Sequence, residues 1–330
     1  MNYINLNGFV LINKVPGFST TNYSEKIKKI INNKLRLIYS REGLIGDLVE
    51  KVGHTGSLDP FASGVIVLAI NDATKVIQFL SKQKRYIAEV LIGISTDTYD
   101  ISGQIIKQQR YTKQELSKIV DLISSSLINF IGKVEQTPPP FSAKKIKGKR
   151  AYQLAREISQ HNTTLLDEIK LKKHTVYIEN ITIINQYKDR LVLEVSCSEG
   201  TYIRSLVNDI SNLIDIPLTL SFLVRTNSNN FEISQSYTLE EVKNSENLNF
   251  LLPLNVVLDN FSKVVIQDRY IFRVRNGHSF SKSSIIALNK NGLFSDKNIF
   301  TVMDKKRNHL AIAYSDNDIN FKIKRVLMPY

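Results

Sequence analysis

The stretch Gly53-His54-Thr55-Gly56-Ser57-Leu58-Asp59-Pro60-Phe61-Ala62-Ser63-Gly64 runs straight into six apolar residues, Val65-Ile66-Val67-Leu68-Ala69-Ile70. Glycines, hydroxyl residues and a proline at this density force a tight, shaped loop, and the apolar run behind it reads as a buried element. The loop therefore presents one carboxylate, Asp59, beside a core. Pro60 pushes the backbone of Asp59 out of the helical region into an extended one, so its position is constrained before any packing is counted. Asp59 is the candidate catalyst. The competing reading is an Asp-Pro turn whose carboxylate caps a local backbone group.

With 330 residues, the chain has room for one large domain and one small one. Its formal net charge of +13 points to a polyanionic partner, most often nucleic acid. No apolar run is long enough to cross a bilayer, and Met1 to Lys14 lacks the basic, apolar and small-residue order of a signal peptide. A cytoplasmic protein without a membrane partner is expected. Cys197 is the single cysteine and the five histidines are scattered without ligand spacing, which excludes an intramolecular disulfide and a cysteine-rich zinc site. Neither type of phosphate-binding glycine loop occurs. The expectation is no metal and no cofactor.

Gly8 to Lys14 reads as a buried strand ended by Pro16-Gly17, followed by a helix with Ser19, Thr20 or Thr21 as N-cap and Ile27, Ile30 and Ile31 on one face. Alternation predicts a strand over 85–94, with Tyr86, Ala88, Val90 and Ile92 on one side. It predicts another over 189–198, with Leu191, Leu193, Val195 and Cys197. After Gly200 the period changes, and Ile203, Leu206, Val207, Ile210, Leu213 and Ile214 form a helical stripe. Strands and helices mix without regular alternation, so the fold class is α+β. Near Phe250 the texture shifts to short β segments around 264–266, 285–288, 299–302 and 309–314. Asn276-Gly277 and Asn291-Gly292 serve as turn signals between them, and a small barrel or sandwich is predicted. Residues 261–330 hold 13 Lys and Arg against 5 Asp and no Glu, which suits a module that grips a nucleic-acid backbone.

Two further sites draw attention on their residues alone. Arg204 falls in the first turn of the predicted helix, where the dipole disfavours a cation, and it is flanked by Ile203 and Leu206; a carboxylate facing it would account for the placement. Residues 144–150 carry five basic side chains in seven and no acid, with Phe141 and Tyr152 at the flanks. That pattern fits either a solvated basic loop or an arm that grips phosphates and stacks bases. Tyr86 and Leu223, taken singly, read as core packing.

The string from Gly53 to Gly64 resembles the second motif of the TruB-type pseudouridine synthases, which isomerise the T-loop uridine of tRNA. Four other blocks fall in the order of that family. Ser196 to Arg204 resembles its third motif, and Lys84-Arg85-Tyr86 its Lys-x-Tyr element. Phe222 to Thr226 matches its Leu-x-Arg-Thr block, and Gln136 to Tyr152 its T-loop clamp. Thr96-Asp97-Thr98 with Asp100 and Gly103-Gln104 adds a further string. The resemblance implies a pseudouridine-synthase catalytic domain over 1–250, with a mixed, largely antiparallel sheet flanked by helices and a clamp over about 136–172. A small all-β PUA-like RNA-binding domain over 251–330 would follow.

The same resemblance assigns roles. Asp59 becomes the catalytic carboxylate, Arg204 its ion-pair partner, and Tyr86 the ring that stacks on the target base, with proton transfer from C5 as a second possible role. Leu223 would pack the base from the other side. His54 would wedge into the T-loop as the base flips out, with a histidine bonded to its own loop as the competing reading. Phe141, Lys144, Lys145, Lys147, Lys149, Arg150 and Tyr152 would hold RNA, and Lys14 with Pro16 would buttress the Asp59 loop. The expected partner is the T-arm of tRNA, with no protein partner required and a monomeric chain. Two alternatives stand beside this reading: a guide-dependent or differently targeted pseudouridine synthase, and a non-catalytic tRNA-folding protein. The chain also departs from the pattern. The span 35–50 is longer than expected between the first two motifs, and the glycine usual before Phe231 is missing.

Overall fold

The two apolar runs that flank the Asp59 loop in sequence fold as neighbours. The computed structural model describes residues 6–43, 46–141, 145–146, 149–150, 172–290, 292–293 and 298–327. Strand β1 (Gly8–Lys14) leads through Pro16-Gly17 into helix α1 (Thr20–Glu42), and a short β2 (Val52–His54) precedes β3 (Ser63–Ile70). β1 and β3 pair antiparallel from Gly8↔Ile70 to Lys14↔Gly64. Phe9, Val10, Ile12, Val65, Ile66 and Leu68 are fully buried, each removal from water contributing about 1.5–3 kcal/mol for side chains of this size.

Of the three possible caps, Ser19 closes the start of α1. Its Oγ accepts from the Asn22 amide at 3.1 Å, while Asn22 Oδ1 accepts from the Ser19 amide at 3.1 Å. Ile27 and Ile31 are buried, whereas Ile30 is only partly so. The long span between the first two motifs begins as a continuation of α1 to Glu42 and ends at Gly43, which takes a left-handed φ of 64°. The returning chain is tied to the helix: Asn32 accepts from the Val49 amide at 2.7 Å and donates to its carbonyl at 3.1 Å.

By contacts, the chain divides into one unit of Met1–Pro60, Gly64–Lys82 and Ser228–Tyr330, and a second of Phe61–Ser63 and Gln83–Asn227. The second unit holds β4 (Gln83–Ile92), α2 (Lys113–Ser126), β5 (Gly132–Gln136), β6 (His174–Tyr187), β7 (Arg190–Ser198), α3 (Ile203–Ile214) and β8 (Leu218–Ser228). Its strands lie in the order β8-β4-β7-β6-β5. β4 and β7 pair antiparallel with Tyr86 opposite Val195. The alternation read from sequence holds, since Tyr86, Ala88 and Val90 are buried along with Leu191, Leu193, Val195 and Cys197. The helical stripe is shorter than predicted. α3 buries Ile203, Leu206, Val207 and Ile210, but Leu213 in its last turn is 54% exposed.

The first unit resumes with α4 (Leu239–Asn244), β9 (Leu251–Pro253), α5 (Leu254–Leu258), β10 (Ser262–Ile266), α6 (Ile271–Arg275), β11 (Phe280–Ser281), β12 (Ile285–Asn289), β13 (Ile299–Met303), β14 (His309–Tyr314) and β15 (Asn320–Val326). Six of these strands form one sheet in the order β11-β15-β14-β13-β10-β12, with β10 and β13 parallel. Asn276-Gly277 does form a turn between β10 and β11. It closes α6, with the Asn276 amide and side chain both donating to the Phe272 carbonyl and Gly277 at a φ of 78°. β9 pairs with β1, and Leu254, Val257, Leu258, Ile312 and Leu327 share a core with Phe9 and Val67. The change of sequence texture near 250 therefore falls within one packed unit.

Candidate active site

The Asp59 loop leaves β2 at His54 and enters β3 at Ser63. Asp59 itself is half-buried. Its neighbours on both sides are held by β1, the turn after it, and α1. On the N-terminal side, the Leu58 amide donates to Thr20 Oγ1 at 2.9 Å. On the C-terminal side, the Pro60 carbonyl accepts from the Gly17 amide at 2.8 Å and from Lys14 Nζ at 3.1 Å. Lys14 is fully buried and also donates to the Val15 carbonyl at 3.0 Å. A buried ammonium that spends its donors on two backbone carbonyls is a fixed strut, since each charge-assisted bond of this kind is worth about 1.5–3 kcal/mol. Gly17 sits at a φ of 95°, which a side chain would resist. Pro16 is exposed and contributes the turn, while Lys14 and Gly17 supply the bonds. His54 is half-buried at the end of β2, opposite Leu68.

In the second unit, Arg204 is the second residue of α3 and is 4% exposed. Nη1 lies 3.5 Å from Asp100 Oδ2 and donates to the Thr98 carbonyl at 3.3 Å; Nη2 donates to the Phe141 carbonyl at 3.1 Å. Asp100 is equally buried, and its Oδ1 accepts from Thr98 Oγ1 at 2.9 Å and from the Ser102 amide at 2.9 Å. Within this unit the carboxylate facing the helix-start arginine is Asp100. Sequence reading placed Asp100 in a motif without giving it a task.

Gln136 carries the other function that the sequence concealed. Tyr202, the N-cap residue of α3, makes no side-chain cap. Instead its amide donates to Gln136 Oε1 at 2.8 Å and its carbonyl accepts from Gln136 Nε2 at 3.0 Å. Ser205 Oγ then donates to the Thr137 carbonyl at 2.7 Å. The proline-rich segment 136–141 is thus latched onto the start of α3 at Gln136, Thr137 and Phe141, and these contacts fix where Arg204 stands.

Tyr86 on β4 is 7% exposed and Leu223 on the adjacent β8 is 3% exposed. Beside them the sheet buries two cations, Lys84 and Arg225. Burial, helped by the Arg225 charge, pulls the Lys84 ammonium down to about 7, and burial pushes the Cys197 thiol up to about 11. Phe141 is half-buried. Lys144, Lys147 and Tyr152 lie outside the described residues. Lys145 pairs with Arg150 and Ile146 with Lys149 in a small two-stranded element, of which the backbone alone is described. Among the described residues no group of three or more His, Cys, Asp or Glu could hold a metal ion, and no helix is long and apolar enough to cross a membrane.

Comparison with known proteins agrees with this architecture. Residues 46–203 match the TruB family pseudouridylate synthase N-terminal domain. The tRNA pseudouridine synthase B of Alkaliphilus oremlandii is 37% identical over 283 residues, covering 85% of this chain and 85% of that protein. Its counterpart in Clostridium kluyveri is 34% identical, covering 86% and 88%. Among solved structures, a Cbf5-Nop10-Gar1 complex shares the fold with a TM-score of 0.64 at 21% identity, covering 98% of this chain and 85% of that one. An H/ACA ribonucleoprotein bound to a substrate RNA containing 2'-deoxyuridine gives 0.63 at 20%, with 98% and 85% covered.

Proposed function

The chain belongs to the TruB family of pseudouridylate synthases, and from that membership we propose that it converts uridine to pseudouridine in the T-loop of tRNA, at position 55. It is an RNA pseudouridine synthase, an isomerase acting on tRNA. The reaction breaks the N1–C1′ glycosidic bond, turns the base, and joins C5 to C1′, with nothing oxidised and no group transferred. One ionised carboxylate shielded from water is sufficient assistance, as nucleophile or as base at the ribose. We assign that role to Asp59.

The observation that carries the reading is the double anchoring of the Asp59 loop. Leu58 is bonded to Thr20, and Pro60 to Gly17 and to the buried Lys14. A carboxylate held between two pinned neighbours is pre-organised for chemistry, which a surface turn does not need. Arg204 serves as its ion-pair partner, and Tyr86 and Leu223 hold the flipped base. His54 fills the gap the base leaves. Phe141, Lys144, Lys145, Lys147, Lys149, Arg150 and Tyr152 grip the T-arm, and the C-terminal residues 251–330 supply a PUA-like RNA-binding surface. The protein works in the cytoplasm as a monomer, with no cofactor and no protein or guide partner.

The test is to incubate an unmodified tRNA transcript with the purified protein alone and map pseudouridine along it. Modification of the T-loop uridine is expected. No modification, or modification only after a guide RNA or second protein is added, would refute the assignment.

A further inference from the structure

The C-terminal part of the chain presents an aromatic ring to solvent in the middle of a basic face. Helix α6 and the turn before it rest on β14 and β15 through Val274, which is fully buried, with Ile271 and Tyr270 partly buried against the same core. The opposite side is open. Phe272 is 78% exposed, more than any other large apolar residue among the described ones. Arg269, Phe272, Arg273 and Asn276 follow one another at intervals of three, one and three residues, which puts them on one side of a helical stretch. Arg269 and Arg273 are both exposed, and Arg269 leans over the Tyr270 ring at 5.2 Å. The ion pairs in this region use Lys263, Lys290 and Lys305 rather than these arginines.

An exposed phenyl ring gains nothing from water, and in this five-residue helix it is Val274 and not Phe272 that is buried. Two guanidinium groups beside it select an anionic partner with a flat face. Residues 261–330 carry 13 Lys and Arg against 5 Asp, so a polyanion is favoured over an apolar protein groove. A duplex offers its phosphates but hides its base faces, whereas an unpaired nucleotide offers both.

We infer that Arg269, Phe272 and Arg273 form a stacking platform for an unpaired nucleotide of the tRNA outside the T-arm. Phe272 supplies the face, and the two arginines hold the flanking phosphates. The inference rests on the reading of tRNA as the substrate. α6 is carried by β14 and β15, whereas the Asp59 loop is carried by β1 and α1, so platform and chemistry are separately supported.

The experiment measures the affinity of the full chain for a whole tRNA transcript and for an isolated T-arm hairpin at one salt concentration, together with pseudouridine formation on the hairpin. Phe272→Ala should weaken tRNA binding roughly 5- to 150-fold, the range that loss of one aromatic–base stack gives. Hairpin affinity and hairpin turnover should stay at their original values, and Phe272→Trp should restore tRNA binding. Unchanged tRNA affinity in Phe272→Ala, an equal loss on the hairpin, or failure of the tryptophan to rescue would each overturn the platform. Absence of turnover in the unaltered protein would instead strike the proposed activity, and the affinity comparison would still read the platform.

Discussion

Gln136→Ala tests whether the latch on α3 matters to catalysis. The side chain is 1% exposed and closes two bonds with the backbone of Tyr202, at 2.8 and 3.0 Å. Alanine takes this partner from the Tyr202 amide, while the Tyr202 carbonyl keeps the Leu206 amide at 3.0 Å, and a buried donor left unsatisfied costs about 1–3 kcal/mol. Tyr202 is only half-buried, so water recovers part of this, and a loss of about 1–2 kcal/mol is expected. Arg204 lies two residues further on, and its Phe141 contact belongs to the same latch. Single-turnover pseudouridine formation on a T-arm hairpin should therefore slow by at least tenfold, alongside a melting temperature lowered by several degrees. Gln136→Glu keeps the acceptor for the Tyr202 amide but turns a carboxylate oxygen toward the Tyr202 carbonyl, and should fall between the two. A Gln136→Ala protein with unchanged melting temperature and rate would refute the latch.

Gly17→Ala meets no atom within 4 Å, so its cost is conformational, about 1–3 kcal/mol for forcing a φ of 95° on a side chain, and thermal unfolding with hairpin turnover should show it as a lower midpoint and a slower rate. Asp100→Asn removes the charge that faces Arg204 at 3.5 Å; turnover should fall while tRNA affinity is retained, as read from kcat and Kd. Burial raises the Asp209 carboxyl to about 6 from an ordinary 3.8. The native state then binds more protons than the unfolded chain across that interval, so stability falls as pH rises through it. Asp209→Asn should stabilise the fold at pH 7 by about 1–3 kcal/mol at most, read as a higher melting temperature, with the gain vanishing below the lower end of the interval.

Strand alternation along 85–92 and 190–198 was legible because each strand buries one face, and the buried set follows the period of two. The Asp59 loop was legible from its own composition. Gln136 and Asp100 were not. Gln136 acts on Tyr202, 66 positions away, through backbone atoms that every residue possesses, and no pattern of types marks such a bond. Asp100 becomes the partner of Arg204 only when a self-bonded turn from Thr96 to Gln104 lies beside α3. Asn276-Gly277 is a turn between two β segments, as read, but the helix it closes was not foreseen, because the same pair that turns a chain also ends a helix. The texture change near 250 was real, yet packing ignores it, because β9 completes an edge of β1. Cutting the chain there would strip Leu254, Val257 and Leu258 from the core around Phe9.

The central claim is that the anchored carboxylate performs the chemistry. Asp59→Asn keeps volume and much of the hydrogen bonding but removes the ionised group, so pseudouridine formation on the tRNA transcript should vanish while the Kd for that transcript stays near its original value. The measurement is pseudouridine content after prolonged incubation with a preparation shown by mass to be free of deamidation back to Asp. Any accumulation of pseudouridine above background in that preparation would contradict the assignment of Asp59.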